Sequence, residues 1–84
     1  MKMKFIWDEV NDQEIQAHGV DRATAEAVFM ASDAGFRLHP AIPNRWTAEG
    51  TVAERLYRVA FSKAFPDGIR ITTAFRISRK RRLT

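Results

Sequence analysis

The sequence predicts a single α+β domain in which β-α-α is followed by an antiparallel β-meander, with two helices packed on one sheet face. Three observations carry that prediction. The break at His18-Gly19-Val20-Asp21 divides a helical first half into two short helices. Alternating apolar residues dominate from residue 56 onward. Between two such alternating stretches, Pro66-Asp67-Gly68 has the composition of a hairpin turn.

Each element has its own signal. Residues 4–7 (Lys-Phe-Ile-Trp) read as a short strand, and Asp8 is a good N-cap for a first helix whose stripe of Val10, Ile15 and Ala17 is weak. Gly19 ends that helix, because glycine takes the left-handed conformation without cost. Asp21 then caps a second helix over residues 22–31, with Thr24, Ala27, Val28 and Ala31 on one face. Beyond residue 32 the pattern turns to β. Residues 35–38 form a short strand, Pro40 and Pro43 interrupt the chain, and residues 45–48 begin another. In residues 56–61, Tyr57, Val59 and Phe61 share a face. A regular last strand over 69–75 turns Ile69, Ile71, Thr73 and Phe75 one way and Arg70, Thr72, Ala74 and Arg76 the other, presenting Arg70 and Arg76 together.

At 84 residues the chain holds one modest core, assigned to a domain over 1–78 with a basic tail at 79–84. Apolar residues make up 45% of it, including six Phe, two Trp and one Tyr, enough for a folded protein. No cysteine is present, which excludes a disulfide framework or a thiolate metal site and fits a reducing, cytoplasmic setting. No apolar run approaches a membrane span or a leader h-region, so no membrane role is expected. The net charge of +4 is concentrated at one end. Arg76, Arg79, Lys80, Arg81 and Arg82 supply five positive charges, and without them residues 1–75 carry −1. Such a cluster is either a phosphate-seeking patch or a solvated tail.

Several fragments together resemble a known family. Phe5-x-Trp7-Asp8, His18-Gly19-Val20, Ala25-x-x-Val28-Phe29 and Ile69-Arg70-Ile71 before an Arg-rich end are similar to the BrnT toxin family, whose members resemble RelE-type ribonucleases. His39, six residues before Arg45-Trp46, and Gly50, four beyond Trp46, also match its spacing. The resemblance implies a RelE/BrnT-like fold and the toxin role of a type II toxin-antitoxin system. It implies a metal-independent endoribonuclease that inhibits translation, uses no cofactor, acts on RNA, and pairs with a BrnA-like ribbon-helix-helix antitoxin in a hetero-oligomer. The chain also departs from the family pattern. Thr73-Ala74-Phe75 stands where the family has Ser-Ala-Arg, Thr51 where an arginine is common, Glu49 where an apolar residue is usual, and Ala17 where lysine precedes His-Gly. These departures define the alternative: a catalytically inactive BrnT-like domain that binds RNA or an antitoxin-like partner.

Cleaving RNA without a metal requires a 2′-hydroxyl to attack the adjacent phosphate, with a proton-transfer group and cations around the developing charge. Histidine, with an ordinary pKa of about 6.5, suits the first task and arginine the second. Beside Pro40 in an expected mobile stretch, His39 is the leading proton-transfer candidate, and its bland alternative is an exposed loop histidine. His18 is a second candidate whose bland alternative is a helix C-cap. Arg45 and Arg76 are placed on phosphate at the catalytic centre, and Arg70 with Arg79, Lys80, Arg81 and Arg82 on the RNA backbone. Trp7 and Trp46 are aromatic enough to stack on bases, but Trp7, between apolar neighbours, reads as structural.

Overall fold

A computed structural model describes residues 4–64 and 67–77. The order is β1 (Lys4–Ile6), α1 (Glu9–Ala17), α2 (Arg22–Met30), β2 (Gly35–Leu38), β3 (Trp46–Val52), β4 (Arg55–Ala64) and β5 (Gly68–Arg76). The strands form one sheet in the order β1-β5-β4-β3-β2. The last four strands make the expected antiparallel meander, and β1 adds to β5 in parallel. Helix α2 lies against β3 and β4, and α1 against β5.

Helix α1 is anchored by a polar side chain. Its buried residues are Ile15 and Asn11, whereas Val10 is 74% exposed. Asn11 Oδ1 accepts from the Asp8 N–H at 2.8 Å, the Asn11 N–H donates to Asp8 Oδ1 at 3.0 Å, and Asn11 Nδ2 donates to the Ile6 carbonyl at 2.9 Å. The result is a capping box whose N3 side chain also reaches back to the end of β1. At the other end, Val20 N–H donates to the Ile15 carbonyl and Gly19 N–H to that of Gln16, with Gly19 at φ 76°. This is a Schellman turn, and its flanking apolar pair, Ile15 and Val20, is buried in the core.

The buried stripe of α2 is Ala25, Val28 and Phe29 in place of the expected Thr24/Ala27/Val28/Ala31 face. It packs so closely on β3 that a Cβ at Gly50 would lie 2.8 Å from the Val28 carbonyl and 2.9 Å from the Ala31 Cβ. Phe29 meets Phe5 and Phe61 edge-on, tying β1 and β4 to the helix. Trp7 is structural, as expected. Its indole N–H donates to Glu26 at 2.7 Å and Arg22 lies over its ring.

The last strand is not regular. Phe61 pairs with Ile71 but Ala60 pairs with Thr73, which leaves Thr72 as the extra residue of a β-bulge. Ala74 consequently turns into the core opposite Val59, and Arg76 sits opposite Tyr57 on that same side. Arg70, opposite Ser62, and Phe75, opposite Arg58, belong to the other face. The expected pairing of Arg70 with Arg76 on one strand face is thus corrected, because a single inserted residue inverts the alternation beyond it. A second departure is the β3–β4 hairpin. Its two central residues, Ala53 and Glu54, both have positive φ, at 52° and 68°, without the Asn-Gly composition that usually marks such a turn.

The close approach at Gly50 makes Gly50→Ala destabilising by about 1–3 kcal/mol, read as a lower urea midpoint. Gly35→Ala, where a Cβ meets open space, should leave the midpoint nearly unchanged. Equal midpoints for both variants would contradict the packing described. The capping bond from the Asn11 N–H and then the Arg70 guanidinium, 2.6 Å away, hold the Asp8 carboxyl below the usual carboxylate range. Asp12 is held down chiefly by Arg22, and Asp21 by Thr24. A depressed carboxyl contributes stability above its unfolded value and loses that contribution as pH falls through its folded value, here from about pH 4 downward. Asp8→Asn keeps a capping oxygen without the charge. The parent's stability advantage over it at pH 6 should vanish in strong acid, and an advantage that persists there would contradict the assigned cause.

Candidate active site

Where β1 ends, β5 has been covered for three residues only, and α1 runs alongside the remainder. Three contacts in sequence fix that alignment: Asp8 with Arg70, Glu14 with Thr73, and His18 with Phe75. The C-terminal end of α1 therefore meets the C-terminal end of β5. There, His18, Gly19, Arg55, Tyr57, Phe75 and Arg76 line an open cleft of about 430 Å³.

Within this cleft His18 is oriented by neighbours. Glu14, one helical turn earlier, places Oε2 at 3.3 Å from His18 Nε2 and accepts from the Thr73 hydroxyl at 3.1 Å. A carboxylate accepts only, so the ring's Nε2 carries the proton and Nδ1 keeps the lone pair in the neutral form. The Phe75 ring stands edge-on to the imidazole, with centroids 6.0 Å apart. His18 does occupy the helix C-cap, but through its backbone N–H, which donates to Ile15. The imidazole is left for other work.

The electrostatics of the cleft follow from which cations are already neutralised. Arg22 pairs with Asp12, Arg58 with Glu49, and Arg70 with Asp8. Arg55 and Arg76, in the cleft wall, have no anionic partner among the described residues. Two unpaired guanidiniums beside a histidine suit a phosphodiester.

The expected site residues separate into two groups. His18 and Arg76 come together, joined by Arg55 and Tyr57, which sequence reasoning missed. His39 and Arg45 lie at the β2–β3 connection, at the end of the strands where Trp46 pairs with Phe61 and away from the cleft end where Val52 pairs with Arg55; β3 and β2 stand two and three strand intervals, about 10 and 14 Å, from β5. Nor is His39 in a free loop. Its backbone N–H donates to the Arg45 carbonyl at 2.7 Å, and its Nδ1 accepts from the N–H groups of Ala41 and Ile42 at 3.0 and 2.9 Å. The expectation of a mobile histidine is corrected by these bonds, which make the side chain the cap of its own turn. Arg70 is engaged by Asp8, and Trp46 is stacked on Phe61 with Lys63 over its ring. Thr51 uses its N–H and hydroxyl to hold the Asp33 carboxylate, at 2.9 and 2.6 Å. Arg79, Lys80, Arg81 and Arg82 lie outside the described residues. Among the described residues no three His, Asp or Glu side chains gather to share a metal ion, and no helix is long and apolar enough to cross a membrane.

Scans against family models and curated proteins give no match to this sequence. A solved structure does match: the crystal structure of the ribonuclease toxin BrnT of Brucella abortus, at 26% identity and a TM-score of 0.71. The alignment covers 93% of this chain and 100% of that one. With that near-complete overlap, this chain is similar in fold to that BrnT toxin from end to end of the described residues.

Proposed function

We propose that the protein is the toxin of a type II toxin-antitoxin system, a metal-independent endoribonuclease that inhibits translation, with the cleft at His18 as its centre. The observation that carries this reading is the placement of two unneutralised arginines, Arg55 and Arg76, around a histidine whose ring is held by Glu14. In the reaction, His18 Nδ1 takes the proton of a ribose 2′-hydroxyl as its oxygen bonds to the adjacent phosphorus. The bond from phosphorus to the 5′-oxygen breaks, and that oxygen leaves with a proton from water. The products are a 2′,3′-cyclic phosphate and a 5′-hydroxyl. Arg55 and Arg76 hold the phosphoryl oxygens as charge gathers on them, and the Tyr57 hydroxyl is a further donor at the same wall.

Arg76 thereby serves where the family pattern places an arginine at position 75. The bulge at Thr72 puts Arg76 on the Tyr57 side of β5, and Phe75 flanks the imidazole from the other. The partners that fit are RNA as substrate and a BrnA-like ribbon-helix-helix antitoxin, with the action in the cytoplasm. The second reading, an inactive domain that binds RNA or an antitoxin-like partner, is favoured by Phe75 alone, since an apolar ring replaces a cation at the cleft.

Purified protein incubated with single-stranded RNA in EDTA should yield fragments ending in a cyclic phosphate. His18→Ala should abolish them, and Arg55→Ala or Arg76→Ala should each lower kcat by about 10²-fold. Glu14→Gln should lower activity less and change the pH profile. Lys63→Ala, which removes a cation seated over Trp46, should cleave like the parent. Full activity in His18→Ala would sink the proposed centre, and RNA that is bound but left intact by the parent would favour the inactive reading.

A further inference from the structure

The open face of the sheet carries a second concavity. Arg37, His39, Thr47, Glu49, Leu56 and Arg58 line a groove of about 440 Å³ across β2, β3 and β4. Its floor and the His18 cleft share one cross-strand row. Gly35 pairs with Glu49, Glu49 with Arg58, and Arg58 with Phe75, whose ring flanks His18. From Gly35 to Phe75 the row spans three strand intervals, about 14 Å.

The chemistry of the groove is that of an anion site with an apolar side. Arg37 has no anionic partner among the described residues. With Nδ1 of His39 committed to two backbone N–H groups, its proton sits on Nε2 and is available to donate. Thr47 adds a hydroxyl. Two carboxylates line the groove, and both are engaged: Glu49 by Arg58, whose Nε donates to it at 2.6 Å, and Asp33 by the N–H and hydroxyl of Thr51. Leu56 supplies an apolar surface beside these donors. Phosphate donors and an apolar wall together match a nucleotide unit of single-stranded RNA, in which phosphate and base alternate.

We propose that this groove is a second RNA subsite, and that the substrate strand runs from the His18 cleft along the Phe75-Arg58-Glu49-Gly35 row to Arg37 and His39. The inference rests on the ribonuclease reading of the cleft. In this arrangement His39 and Arg37 contact the RNA away from the scissile bond. The groove adds affinity for strands long enough to cross the row and nothing for a dinucleotide held at the cleft.

The test uses the full chain and 2′-deoxy or 2′-O-methyl oligonucleotides, which bind without being cleaved. A hexanucleotide should bind more tightly than a dinucleotide, and Arg37→Ala should remove that difference while leaving dinucleotide affinity unchanged. The salt dependence of hexanucleotide binding should become shallower by about 0.7 in log–log slope, the loss of one single-strand phosphate contact. Arg37→Lys should restore part of the affinity, and circular dichroism matching the parent confirms that the variants fold. Hexanucleotide binding unchanged in Arg37→Ala overturns the subsite. So does an acidic peptide of equal charge that binds as tightly as the hexanucleotide and is lost in the same variant, since that would assign the groove to a protein. Cleavage of ordinary RNA is measured separately. Its absence refutes the reading of the cleft, and the oligonucleotide length dependence still decides the groove.

Discussion

The reciprocal hydrogen bonds between Asp8 and Asn11 are the constraint on which the site depends. They begin α1 only two residues after β1 ends, and the third bond of Asn11, to the Ile6 carbonyl, ties the helix to the strand it has just left. The chain has no room to cross over the sheet there. Helix α1 therefore runs down the part of β5 that β1 leaves uncovered, and its last residue arrives beside Phe75. Asn11 is 2% exposed, so its side-chain amide is costly to bury without partners, and one bond to its Oδ1 and one from its Nδ2 supply them while its backbone N–H donates to Asp8.

What His18 finds at the end of α1 is set by two irregularities in the sheet. The bulge at Thr72 moves Ala74 into the core and Arg76 to the Tyr57 side. The tight turn at Ala53-Glu54 starts β4 with Arg55 opposite Val52, which brings a second guanidinium to the same end of the sheet. Neither irregularity follows a strong local preference, since residues other than glycine favour negative φ and a bulge leaves one residue unpaired. Local conformations of this kind persist where the surrounding structure over-determines them. Here the ladders of β3, β4 and β5 on either side do so.

Much of the fold was legible in the residues. The helix break at Gly19, the caps at Asp8 and Asp21, and the meander follow from local chemistry that acts within a few positions. The site was less legible, for reasons that differ by residue. Alternation has a period of two, and nothing in Ile71-Thr72-Thr73-Ala74 marks which residue is extra, so the facing of Arg76 was inverted. Ala53-Glu54 lacks turn-forming composition, which hid the hairpin and with it Arg55. Tyr57 was placed only on a face with Val59 and Phe61; it packs against the core while its position at the sheet end opens it to the cleft. Burial of Asn11 in preference to Val10 was invisible to a hydrophobic pattern, because a polar residue is buried only where its partners are met. His39 drew attention by its spacing to Arg45. That spacing is explained by the His39–Arg45 backbone bond that closes the connection, with the imidazole capping the turn inside it.

The central claim is that substrate sits where α1 and β5 end together. Backbone amide shifts in a ¹H–¹⁵N spectrum, followed while a 2′-deoxy dinucleotide is added, test this most directly. Perturbations are expected to centre on His18, Gly19, Tyr57 and Arg76, with the amides of Ala41, Ile42 and Arg45 unmoved. Shifts confined to the β2–β3 connection, with His18 and Arg76 silent, would contradict it.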